Sequence, residues 1–200
     1  MTNISDAQAA VDFGAHAVGF VFDPESPRFI SPTAARQIRA HLPPFVTTVG
    51  VLTAGGEEEI ENIIEVSGVD LIQFHGLFSS DLIKKFSDCA IQVVRVQDND
   101  TLGKTPTLGA RGVLLDTYDA NLYGGSGRSF NWQIAVEAKG RWDNIILAGG
   151  LTPDNIHQAI TAVHPYGVDV SSGVEKEKGI KDWDRMKRFI QIVKGFDVAS

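Results

Sequence analysis

The sequence predicts an α/β fold built on a parallel sheet. Two patterns point to it. Seven short apolar runs alternate with stretches patterned for helices, and no linker interrupts them. The runs are almost continuously apolar, as parallel strands covered on both faces must be. Repeated β-then-α units of this length join through right-handed crossovers.

In chain order the strands are expected at residues 17–22, 46–52, 71–74, 92–96, 112–116, 144–148 and 167–170. A helix is expected at residues 5–13, ahead of the first strand. The next begins Ser31-Pro-Thr-Ala-Ala-Arg-Gln-Ile-Arg, a capping serine followed by proline in the first turn. Residues 57–66 open on three acids, which complement a helix dipole. Within residues 98–110, Gly103, Pro106 and Gly109 interrupt any helix. A helix should follow the glycine loop that ends near Trp132. Thr152-Pro153 repeats the cap-plus-proline signature, and residues 182–193 form a last amphipathic helix.

Such a sheet is either open and doubly wound or closed into a (β/α)8 barrel. A barrel needs eight strands and starts on one. Here the chain opens on a helix, so the strand count is one short at the amino end.

Two hundred residues can build one sizeable core, and 43% apolar with 22% charged content is ordinary for a soluble domain. A net charge of -7 argues against nucleic acid as the main partner. Cys89 is the only cysteine, which rules out an intramolecular disulfide and fits a reducing cytoplasmic setting. No apolar run approaches transmembrane length, and the first residues lack the features of a signal peptide. The expectation is a protein that binds neither nucleic acid nor membrane.

The chemistry is expected at strand ends. Gly112-Val-Leu-Leu-Asp116 ends an apolar strand on an acid, which is costly unless the acid is paired or used. Asp116 shares strand parity with Leu114, so both should point into the barrel, with the acid at its mouth. Capping of the following loop is the structural alternative. Leu147-Ala-Gly149-Gly150 and Val168-Asp169-Val-Ser171-Ser172-Gly173 follow the last two strands. Their glycines let backbone N–H groups approach an anion, and a short helix after Ser172 would add its dipole. Barrels commonly hold phosphate on these loops, although either could be only a tight turn. Asp169 shares parity with Ser171 and is either a mouth residue or a supporting hydrogen-bond partner. Arg28 lies on a loop stiffened by two prolines, where a guanidinium suits a carboxylate or phosphate. Gln73 and His75 share parity at another strand end. The five histidines show no ligand spacing with each other or with Cys89, so no metal is expected. Gly124-Gly-Ser-Gly127 lacks the Gly-Lys-Ser/Thr ending of a P-loop. Trp132, Trp142 and Trp183 read as packing residues.

Taken together these pieces resemble the phosphoribosylanthranilate isomerases of tryptophan biosynthesis. The matching segments are Gly19-Phe-Val-Phe, Ser26-Pro-Arg28-Phe-Ile-Ser-Pro, Val49-Gly-Val, Gln73-Phe-His75-Gly and Leu114-Leu-Asp116-Thr with Gly124-Gly-Ser-Gly127. Leu147-Ala-Gly-Gly-Leu-Thr-Pro and Val168-Asp-Val-Ser-Ser-Gly-Val-Glu complete the set. The resemblance spans essentially the whole chain. It implies a (β/α)8 TIM barrel and an Amadori rearrangement of N-(5'-phosphoribosyl)anthranilate to 1-(2-carboxyphenylamino)-1-deoxyribulose 5-phosphate, with no cofactor. It also implies roles: Asp116 as general acid; Arg28 facing the substrate carboxylate; Gln73, His75 and Asp169 around the substrate; and Gly149, Gly150, Ser171, Ser172 and Gly173 on the phosphate.

The chain departs from that pattern at its start. The family's first strand ends Lys-Ile-Cys-Gly, and its cysteine is the general base; here Met1-Thr2-Asn3 stand where the residues after Cys-Gly belong. The expectation is one TIM-barrel domain over residues 1–200, truncated at its amino terminus relative to the family, with seven strands. Such a chain should be impaired as an isomerase, and its open strand edge should encourage self-association. Cys89 precedes a strand and so belongs at the opposite end of the barrel. Asn131 stands where the family commonly has Asp. Two other readings remain: a non-catalytic sugar-phosphate-binding or interaction barrel, and indole-glycerol-phosphate synthase. The last needs a lysine at the mouth, and no strand here ends on one.

Overall fold

The computed structural model describes residues 1–96, 99–117 and 132–197. Gly124-Gly-Ser-Gly127 and Asn131 lie outside the described residues.

Seven parallel strands form one sheet: β1 (Ala17–Val21), β2 (Thr47–Leu52), β3 (Leu71–Phe74), β4 (Ala90–Val96), β5 (Gly112–Thr117), β6 (Ile145–Ala148) and β7 (Gly167–Val168). The spatial order is the sequence order, β1 to β7, with no reversal. That excludes the doubly wound sheet, whose strand order turns back at a switch point. Repeated same-handed crossovers instead place every helix on one face, and the sheet must curl around its other face.

The curl is visible in the packing. Val49 of β2, Ile91 of β4, Leu114 of β5 and Ala148 of β6 form one small buried cluster inside the sheet. Val113 and Leu115, the neighbours of Leu114, belong to the larger core between sheet and helices. Burying each such aliphatic side chain stabilises by about 1.5–3 kcal/mol. Across the mouth, Gln73 Nε2 of β3 donates to Asp169 Oδ2 just past β7 at 3.4 Å. Residues four strands apart in a flat sheet could not meet. Among the described residues the outer edges of β1 and β7 have no strand partner, so the sheet is a barrel wall with one side open.

The outer layer is α1 (Ile4–Phe13), α2 (Pro32–Arg39), α3 (Glu57–Ser67), α4 (Ser80–Lys85), α5 (Asn99–Lys104), α6 (Trp132–Ala138), α7 (Ile156–Val163) and α8 (Trp183–Asp197). Ser31 caps α2 by accepting from Ala34 N, with Pro32 next, as expected. Helix α7 starts three residues after Pro153, not at it. Asn155 Oδ1 accepts from Thr152 N and closes a turn there first. Helix α5 forms despite Gly103 and stops before Pro106. A two-stranded antiparallel ribbon, β8 (Glu175–Glu177) with β9 (Ile180–Lys181), lies between β7 and α8. It joins α1: Asp6 accepts from Lys181 N at 2.9 Å and Trp183 Nε1 at 2.8 Å. Trp142 is buried, as expected of a packing residue, but Trp183 is half exposed and serves as that hydrogen-bond donor. No helix among the described residues is long and apolar enough to cross a membrane.

Candidate active site

The carboxyl ends of the strands collect the chemistry. Strand β5 is held between β4 and β6, with Asp116 paired in register to Arg95 on one side and Ala148 on the other. Parity with Leu114 aims Asp116 inward, and Oδ2 lies 3.2 Å from His75 Nε2. His75 N in turn donates to Leu52 O at 2.8 Å, fixing the turn after β3. Gly76 follows because a Cβ there would stand 1.7 Å from Thr53 O. The His75 Nδ1 atom is buried with no hydrogen-bond partner among the described residues. The tautomer carrying its proton on Nε2 therefore satisfies the contact best: it donates to the carboxylate and leaves only a lone pair at Nδ1.

Arg95 was not singled out from sequence. Its NH2 donates to His75 O at 3.1 Å, so a guanidinium spans the strand between the histidine and the acid. Strand parity with Ile91 and Val93 was the available signal.

Asp169 stands at the same mouth. Solvent reaches it, yet protein crowds it on most sides. That desolvation pushes its carboxyl above the ordinary range, while Gln73, Lys181 and His75 pull it back.

The two candidate phosphate loops are neighbours. Gly149 and Gly150 have φ of 80° and 64°, a left-handed pair that turns the chain sharply after β6. Asn155 Nδ2 holds the Gly150 carbonyl at 2.9 Å. After β7, Ser171 and Ser172 are exposed. The expected short helix is a single 3-10 turn, Ser172–Val174, so its dipole is small. Gly173 seats that turn against the first loop: a Cβ there would be 1.8 Å from Leu151 O.

Arg28 sits on the loop after β1, which Ile30 N and Val21 O tie back to the strand at 3.0 Å. Its fork grips Glu175, with Nε at 2.9 and 3.2 Å and NH2 at 2.7 Å from the carboxylate oxygens. Lys181 Nζ lies 3.4 Å from the same carboxylate and donates to Ser171 O at 2.9 Å. Burial alone would raise the Glu175 carboxyl, but the two cations outweigh it and hold it below the ordinary range. Burial lowers Lys181 from its usual value, with Glu175 opposing. The fork raises Arg28. Glu175 and Lys181 were missed from sequence as site residues, since nothing local marks a pairing between positions 28 and 175.

The structure thus brings Asp116, His75, Gln73 and Asp169 together and sets Arg28 and both loops around the same rim. Cys89 is elsewhere. It precedes β4 at the amino-terminal end, where its carbonyl accepts from Ile72 N. A cavity of about 320 Å³ also opens at that end, beside Asp70, Arg111, Asn144 and Tyr166. Barrel chemistry belongs to the other face. Among the described residues no group of three or more His, Cys, Asp or Glu could hold a metal ion.

Known proteins share this fold and sequence. A family profile described as N-(5'phosphoribosyl)anthranilate (PRA) isomerase matches residues 1–192. The chain is 46% identical to the N-(5'-phosphoribosyl)anthranilate isomerase of Pseudomonas putida, over 97% of this chain and 94% of the relative. A solved structure of monomeric forms of the dimeric enzyme from Thermotoga maritima superposes with a TM-score of 0.86 at 36% identity, covering 98% of this chain and 95% of that one. Another solved phosphoribosylanthranilate isomerase is in complex with reduced 1-(o-carboxyphenylamino)-1-deoxyribulose 5-phosphate. It matches with a TM-score of 0.84 at 37% identity, over 98% and 95% of the two chains.

Proposed function

The chain belongs to the N-(5'-phosphoribosyl)anthranilate isomerase family, and from that premise we propose how its own residues serve the rearrangement. The function is the family's isomerisation in tryptophan biosynthesis. The observation that carries the residue assignment is the Asp116–His75 contact at the centre of the mouth, with an arginine and two glycine-serine loops around it.

The substrate's phosphate rests on the Gly149-Gly150 and Ser171-Ser172-Gly173 loops, and its carboxylate faces Arg28. Asp116 protonates the ribose ring oxygen, the C1'–O bond breaks, and the nitrogen lone pair forms an iminium. Loss of the C2' proton then gives an enolamine, which rearranges to the ketose. His75 orients Asp116, while Gln73 and Asp169 line the wall beneath the sugar. No step calls for a cofactor.

The C2' proton needs an acceptor. In the family resemblance this is a cysteine on a strand ending Lys-Ile-Cys-Gly, whereas Cys89 lies at the far end of the barrel. A barrel that binds sugar phosphates without catalysis is the second reading, favoured by the position of Cys89. The test compares the 200-residue polypeptide with one carrying a Lys-Ile-Cys-Gly strand joined ahead of Met1. The extended form should convert N-(5'-phosphoribosyl)anthranilate about 10²–10⁴-fold faster. Tight binding of the reduced product analogue with no turnover in either form would favour the binding barrel.

The lone cysteine fits a reducing cytoplasmic setting. The outer edges of β1 and β7, unpaired among the described residues, favour self-association. Light scattering that gives a monomer mass at all concentrations would refute this.

A further inference from the structure

We infer that Glu175 is a positioning residue: with Lys181 it forms a strut that aims Arg28 at the substrate's carboxylate and sets its spacing from the Ser171 phosphate turn. The inference rests on the reading given under Proposed function and deepens it.

The strut is a chain of three buried or half-buried groups. The Arg28 side chain is 26% exposed, Glu175 5% and Lys181 8%. Glu175 therefore lies behind the guanidinium, on the side away from solvent. A guanidinium has five N–H donors. Glu175 takes the edge formed by Nε and NH2, and NH1 makes no hydrogen bond among the described residues. The edge left over, NH1 with the second proton of NH2, is again a two-donor fork that matches a carboxylate. A flexible arginine would lose rotamer freedom on taking a ligand; this one has already lost it.

Lys181 extends the chain to the other end of the site. Its Nζ reaches both the Glu175 carboxylate and the Ser171 carbonyl, and its backbone is fixed by Asp6. The Arg28 fork and the phosphate turn therefore hang from one rigid connection. A ligand with a carboxylate at one end and a phosphate at the other meets both only when its length fits that connection.

The test measures Kd by calorimetry for two probes: reduced 1-(o-carboxyphenylamino)-1-deoxyribulose 5-phosphate and its counterpart lacking the ring carboxylate. The native chain should prefer the carboxylate-bearing probe by about 10–100-fold, the value of a charge-assisted fork. Glu175→Gln keeps size but breaks the fork, and the preference should fall to about threefold or less. The descarboxy probe should bind as before, which a merely structural role would not allow. If Glu175→Gln fails to fold by circular dichroism, Glu175→Asp keeps the charge, retracts it and carries the same expectation. Full preference in either folded variant, or equal weakening of both probes, overturns the inference alone. A native chain that binds both probes equally and no tighter than inorganic phosphate overturns the functional reading with it.

Discussion

His75 Nε2 and Asp116 Oδ2 lie 3.2 Å apart, reaching across β4 from β3 to β5. Two strand ends thus converge on one carboxylate, while Arg95 of the intervening strand holds the carbonyl of the same histidine. As the proposed acid, Asp116 needs a fixed direction toward the ring oxygen, and these contacts supply it. Asp116→Asn keeps the shape and the histidine contact but has no acidic proton to give. In the form extended by the Cys-bearing strand, kcat should fall about 10²–10⁴-fold. The Kd of the reduced product analogue should stay within about threefold. Equal losses in kcat and analogue affinity would mean that Asp116 binds substrate and does no proton transfer.

Acid should unfold the protein through carboxylates that the fold holds ionised. Burial opposes ionisation of Asp6, Asp70 and Glu175, but hydrogen bonds and cations outweigh it and leave all three below their ordinary values. A group depressed in the folded state contributes stability above its unfolded value, about 4, and that stability is lost as pH falls through the folded value. Asp169 works the other way: burial raises it, so its contribution is present at low pH and lost as pH rises through its folded value. Three groups against one predict that the urea midpoint declines steeply below about pH 4. Asp169→Asn should raise the midpoint at pH 7. A midpoint that stays flat from pH 5 to pH 3 would contradict the first expectation.

Most of the wall was legible because parallel strands announce themselves: Leu71–Phe74 was expected where it stands, and β2 and β6 within one residue. Sheet curvature came from the family resemblance and not from periodicity, since it depends on contacts such as Gln73 with Asp169 that no local pattern encodes. Asp116 and Gly149-Gly150 could be placed because strand parity and glycine pairs act over a few residues. The Arg28–Glu175–Lys181 connection could not, because Arg28 and Glu175 are 147 residues apart and Glu175 and Lys181 each read alone as solvated surface. The β8–β9 ribbon was missed for a related reason. Its short, charged strands have little apolar periodicity, and Asp6 supplies from another element what they lack.

Asp6 is the pin between α1 and that ribbon. It accepts from Lys181 N, Trp183 Nε1 and Asn3 Nδ2 at 2.8–2.9 Å while almost fully buried. Asp6→Ala removes one acceptor side chain and strands two donors, a backbone amide and an indole. The expected loss is about 2–4 kcal/mol in urea unfolding, since an unsatisfied buried donor costs about 1–3 kcal/mol. Because Lys181 belongs to the strut behind Arg28, the variant should also lose preference for the carboxylate-bearing probe. A loss below about 0.5 kcal/mol, the usual effect of a surface change, would show that the pin is not structural.

The contact between the two proposed phosphate loops rests on a missing Cβ. At Gly173 a methyl group would stand 1.8 Å from Leu151 O and 2.9 Å from Leu151 C. Both are backbone atoms, so no side-chain rotation relieves the clash and the loops after β6 and β7 must part. Gly173→Ala should destabilise by about 1–3 kcal/mol through overpacking. It should also weaken inorganic phosphate binding about tenfold or more, because donors from two loops no longer converge on one anion. Gly103→Ala is the control: it lies in α5 with nothing within 4 Å of the new Cβ, and helix propensity favours alanine by about 1 kcal/mol. If both variants hold phosphate as the native chain does, the two loops do not form one anion site.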